Sequence, residues 1–127
     1  MNLKQISVLF LLSCVVTEAY LSGAKAASIN EIRIDQPGAD NDEFFELKGN
    51  ANEALTDLSY IVIGDGSSAL GSGVIESVTD LDAQFLDANG LFVAANPSFT
   101  LGVANLIGDL RFENSDNVTH MLSLIHI

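Results

Sequence analysis

What most limits the folds open to this chain is the rhythm of its apolar residues. From Ser28 onward, short runs rich in β-branched and aromatic side chains recur between clusters of Gly, Asn, Asp and Pro, and no stretch carries a convincing helical period. The runs are Ser28 to Ile34, Glu43 to Lys48, Leu58 to Ile63, Val74 to Val78, Gly90 to Ala94, Asn105 to Arg111 and Val118 to Leu122. Each suits a strand and is short for a helix. Between them, Gln36-Pro37-Gly38, Gly64-Asp65-Gly66, Ala88-Asn89-Gly90 and Asn114-Ser115-Asp116-Asn117 offer Gly or Asn wherever a turn needs positive φ. The pattern predicts an all-β domain of packed sheets.

Two runs reveal their faces. In Leu58 to Ile63, Leu58, Tyr60 and Val62 point one way and Ser59, Ile61 and Ile63 the other, so both sides are apolar and the run belongs in the middle of a sheet. In Glu43 to Lys48, Phe45 and Leu47 share one face while Phe44, Glu46 and Lys48 share the other, as in a half-buried strand. Phe44 is then either a surface aromatic or a ring beneath a loop. At 127 residues the chain has room for one domain and one core.

The N-terminus reads as an export signal. Lys4 gives it a positive start, Ile6 to Val16 an apolar core, and Ala24-Lys25-Ala26 an A-x-A cleavage site, which makes residues 1–26 a signal peptide and Ala27 the mature start. The apolar core is too short to span a bilayer and Glu18 soon follows it, so no transmembrane span is expected in the mature form. Leu11-Leu12-Ser13-Cys14 resembles a lipobox, leaving a lipoprotein anchored at Cys14 as the minority alternative. Cleavage after Ala26 would remove Cys14 and leave neither a disulfide nor a thiolate. Either route predicts a secreted, periplasmic or cell-surface location.

The formal net charge is −12. Removing residues 1–26 leaves Arg33, Lys48 and Arg111 against sixteen acidic residues, a net of −13. Such a surface repels phosphate backbones, so direct nucleic-acid binding is not expected.

Ile29-Asn30-Glu31-Ile32, then an acidic loop, then Glu43-Phe44-Phe45-Glu46-Leu47 resembles the opening of the lamin tail domain family, of the type carried by secreted bacterial proteins. Leu58-Ser59-Tyr60-Ile61, Asn89-Gly90-Leu91-Phe92-Val93 and Asn114-Ser115-Asp116-Asn117-Val118 follow in the family's order, so the likeness runs from Ile29 to about Leu122. It implies an immunoglobulin-like β-sandwich over residues 27–122. It also implies a noncatalytic module that contacts a protein or cell-surface partner, often joined to an extracellular nuclease, phosphatase or other hydrolase. The family's pattern would continue past Leu122, and Leu122-Ser123-Leu124-Ile125-His126-Ile127 resembles translated sequencing-adaptor read-through. Residues 123–127 are therefore expected to be a non-native or truncated tail, and the chain a fragment. The alternative is that LSLIHI is a genuine last strand.

Carboxylates are the abundant chemical groups. Asp35, Asp40, Asp42 and Glu43 fall in or beside one loop and, with Asn41 and backbone carbonyls, are the oxygen donors that Ca²⁺ takes. Asp40, Asp42 and Glu43 are the candidate calcium ligands, against the plainer reading of a solvated loop, since the EF-hand order is absent. Glu43 and Glu46 would project from opposite strand faces and cannot act as a paired acid and base. Asp80 and Asp82 remain weaker ligand candidates. His120 is expected in a strand, at the surface or a sheet edge, and no nucleophile elbow accompanies it. Gly64 to Gly73 lacks the Lys of a phosphate loop. The residues predict no catalytic site and no required cofactor. Three functions stay open: a noncatalytic interaction module, the accessory domain of a truncated extracellular hydrolase, and a calcium-dependent structural or adhesive domain.

Overall fold

The structure, a computed structural model, describes residues 27–65, 73–113 and 117–124. The signal segment with Cys14, most of the Gly64 to Gly73 loop, Asn114 to Asp116 and residues 125–127 lie outside the described residues. The rest is all-β, with no helix among the described residues. The strands are β1 (Ser28–Arg33), β2 (Phe44–Lys48), β3 (Ser59–Gly64), β4 (Val74–Asp80), β5 (Leu91–Ala95), β6 (Leu106–Ile107) and β7 (Thr119–Ser123).

They form two sheets, ordered β1-β2-β5-β6 and β4-β3-β7. Every pairing is antiparallel except β5 with β6. β3 is the central strand of its sheet, as its two apolar faces predict. Ser59, Tyr60, Ile61 and Val62 are all buried in it.

The core lies between the sheets because the alternating residues of each inner face are large and apolar. Phe45, Leu47, Phe92 and Ala94 come from one sheet and Tyr60 and Val62 from the other, with Leu55, Leu81, Leu86, Leu110 and Phe112 closing in from connections. Phe45 stacks on Tyr60 with ring centroids 3.7 Å apart and planes 3° from parallel, coupling β2 to β3 across the interior. A fully buried Leu or Phe in such a core contributes roughly 1.5–3 kcal/mol. Phe44, on the opposite face of β2, is nonetheless buried and meets Phe99 edge-on, so it sits beneath a loop.

Two bulges adjust the sheets. In β1, Ile29 pairs with Leu47 and Glu31 with Glu46, leaving Asn30 as the extra residue. In β4, Ser77 pairs with Val62 and Ile75 with Ile63, leaving Glu76 as the extra one. A bulge bends its strand and re-aims the side chain it carries.

The turn before β5 needs its glycine. Gly90 has φ +77°, and a Cβ there would run into the carbonyl oxygen of Gly49, whose own N–H donates to the Gly90 carbonyl at 3.0 Å. Asp87 builds the other half of this turn, accepting from the Asn89 and Leu91 N–H groups at 2.7 and 2.9 Å.

The expected strand from Asn105 to Arg111 contracts to Leu106–Ile107. Arg111 takes φ +51°, which extended backbone excludes, and the Leu110 N–H turns to the Asn96 side chain. β7 runs through Ser123, which pairs with Ser59. No helix among the described residues is long and apolar enough to cross a membrane.

Candidate functional site

The loop between β1 and β2 carries the carboxylates singled out by the sequence, and each has its own task. Asp40 Oδ1 accepts from the Gln36 N–H at 3.4 Å, while the Gln36 side chain donates to the Ala39 carbonyl and accepts from Arg33 at 2.9 Å. Asp42 Oδ1 reaches across to the connection after β5, accepting from both the N–H and the hydroxyl of Thr100, at 2.6 and 2.9 Å. Ser98 donates to the Asn41 carbonyl at 2.7 Å beside it. Glu43 is buried, and its carboxylate accepts from the Asn96 amide. The Asn96 N–H donates to the Glu43 carbonyl at 3.1 Å, and Asn96 Oδ1 takes the Leu110 N–H at 3.0 Å.

Two of the three candidate ligands, Asp42 and Glu43, thus work as a clamp, while Asp40 braces its own loop. Asp42 and Asn41 hold the segment from Asn96 to Asn105 against the β1–β2 loop, and its far end is pinned where Asn105 exchanges two 2.8 Å bonds with Val93. Burial raises the Glu43 carboxyl above the usual 4.5, opposed by the Asn96 bond and reinforced by the charges of Asp40 and Asp109.

A different set of acids converges. Asp65, at the end of β3, Glu76, the bulged residue of β4, and Glu113, after the buried Phe112, place one carboxylate oxygen each within 4.8 Å of one another. The Glu76 carboxylate rests over Gly64, where any Cβ would collide with it. At such spacing each pair of charges repels by about 1 kcal/mol in water and about 4 kcal/mol where the effective dielectric falls to that of a protein surface. Hard oxygen donors from three chain segments can share a divalent cation, with further oxygens completing the six to eight that calcium takes, as an order-of-magnitude guide. The sequence gives no spacing signal for this trio, since two members come from a hairpin and the third from the far side of β5 and β6.

Asp80 and Asp82 do turn chemistry. Asp80 Oδ1 accepts from the Asp82 N–H at 2.9 Å, and Asp82 Oδ1 from the Asp57 N–H at 2.8 Å, where Asp57 has φ +63°. No family model, curated protein or solved structure matches the chain. The side chains themselves must therefore carry any functional argument.

His120 stands on the edge strand β7 but faces inward. Its Nδ1 lies 2.8 Å from the Tyr60 hydroxyl, and its ring meets Phe112 edge-on at 4.9 Å and 89°. Burial lowers its basicity and pushes the Tyr60 hydroxyl pKa up. In contrast, the connection held by the clamp exposes apolar side chains: Leu101 is 58% exposed, Val103 94%, and Ile107 in the adjoining β6 54%.

Proposed function

We propose that this chain is a secreted, noncatalytic interaction module of the lamin tail domain type, an immunoglobulin-like sandwich that contacts a protein or cell-surface partner. The observation that carries this reading is the clamped connection between β5 and β6. Its apolar side chains Leu101 and Val103 project outward although the backbone around them is tied down by Asp42, Asn41 and Val93. A rigid loop presenting apolar groups loses little entropy on binding, which favours recognition. The flanking acidic surface disfavours nucleic acid as the partner.

The test is fractionation of cells that secrete the full chain, comparing wild type with L101D/V103D. Retention of wild type on the cell envelope and release of the double variant supports the reading. An identical distribution, or turnover of DNA, RNA or a phosphomonoester by the purified chain, overturns it.

The convergence of Asp65, Glu76 and Glu113 favours one second reading, a calcium-dependent structural domain. Calcium would raise the melting temperature of wild type and leave that of E76Q unchanged; equal responses would dispose of it.

A further inference from the structure

β7 is an edge strand, bonded to β3 alone in the sheet order β4-β3-β7. Of its five residues, His120 and Leu122 lie on the face shared with Val62 and Tyr60, directly opposite them in register. His120 is therefore one of two side chains that seat this strand on the core. Its ring is held by the Tyr60 hydroxyl at Nδ1 and by the edge of Phe112, and its Nε2 is buried with no hydrogen-bond partner among the described residues.

We propose that His120 is an acid-sensitive latch whose protonation unseats β7 from β3. The neutral ring needs only one of its nitrogens to carry hydrogen, and the Tyr60 hydroxyl can donate to or accept from Nδ1 as the tautomer requires. The imidazolium carries hydrogen on both. Its Nδ1–H can still donate to the Tyr60 oxygen, but its Nε2–H is left buried without an acceptor, on a ring that now bears a full charge. That combination is costly, and opening the strand relieves it by bringing the ring to water.

Among the described residues, burial is the one cause that acts on the ring's basicity, with no charge offsetting it. The titratable and charged residues on the elements packed against β7 are Tyr60 on β3, Glu31 and Arg33 on β1, and Asp109, Arg111 and Glu113 on the segment that carries Phe112. Tyr60 bonds the ring and has its hydroxyl pKa raised, so it stays protonated. Arg33 donates to Gln36, Asp109 pairs with Arg111, and Glu113 lies with Asp65 and Glu76. Burial is the cause that lowers the His120 pKa, in keeping with the geometry.

The sign follows from linkage. A histidine whose folded pKa lies below its ordinary 6.5 binds its proton more readily when unfolded, so stability is lost as the pH falls from about 6.5 toward the folded value. Amide hydrogen exchange on the full chain at pH 7 and pH 5.5, corrected for intrinsic rates, reads this strand by strand. Protection in β7 should fall several-fold at the lower pH while β2 and β5 hold, and H120F should abolish the difference. Unchanged β7 protection in wild type, or the same loss in H120F, overturns the latch. Should H120F fail to fold, an imidazole titration of wild type decides. A His120 midpoint below that of the urea-unfolded chain supports the proposal, and one at or above it refutes it.

Discussion

The loop between β1 and β2 and the far end of the β3–β4 hairpin use the same side chain to opposite ends. In the loop, Asp40, Asp42 and Glu43 are neighbours in sequence, yet they bond Gln36, Thr100 and Asn96 separately. At the hairpin, Asp65, Glu76 and Glu113 are scattered along the chain and converge within 4.8 Å. Carboxylates crowded in sequence can each find a donor, because successive turn residues project in different directions. At the hairpin, three separate segments bring like charges within 4.8 Å of one another, and that mutual repulsion opposes the fold.

The sharpest way to break this comparison is at Asn96, which joins the Glu43 carboxylate to the Leu110 N–H. N96A should cost about 2–4 kcal/mol in urea unfolding, since it strands a buried carboxylate and a backbone donor together. A loss under about 1 kcal/mol would show that water replaces the amide and that the clamp is weak. At the hairpin the sign should reverse. E76Q without added cations should stabilise the chain by about 0.5–1 kcal/mol by removing one charge from the trio, and a destabilisation would mean that its carboxylate is serving as an acceptor.

The smallest effect is a slope. Because burial first, and then Asp40 and Asp109, raise the Glu43 pKa, the folded state holds this proton more tightly than the unfolded state. Its contribution is therefore present at low pH and lost as the pH rises from about 4.5 through the folded value, opposite in sense to His120. Subtracting the stability–pH curve of E43Q from that of wild type should leave this declining component. A difference curve that rises with pH would contradict the burial of Glu43.

How far these regions were legible beforehand follows from the range of the forces involved. Strand periodicity is local, so six of the seven expected strands appear within a residue or two of their places, and the two apolar faces of Leu58 to Ile63 announce a central strand. The apolar run from Asn105 to Arg111 reads longer than β6 because it hides the left-handed Arg111 and the pull of Asn96 on Leu110. Asp40, Asp42 and Glu43 stand out in the sequence as a cluster, but the partners of Asp42 and Glu43, Thr100 and Asn96, sit more than fifty residues away, so the clamp leaves no local signal. Glu76 carries no local signal as a site residue because a bulge, rather than simple alternation, aims it. The strand around His120 is legible in its local pattern, while its inward face depends on pairing with Val62 across the sheet.

The claim that the acidic loop is a clamp is tested most directly at Asp42, by thermal unfolding of wild type and D42A with excess calcium and again with a chelator. Loss of two bonds to Thr100 should destabilise D42A by about 1–2 kcal/mol, equally in both conditions. A penalty that appears with calcium and vanishes with the chelator would contradict the clamp and make Asp42 a metal ligand.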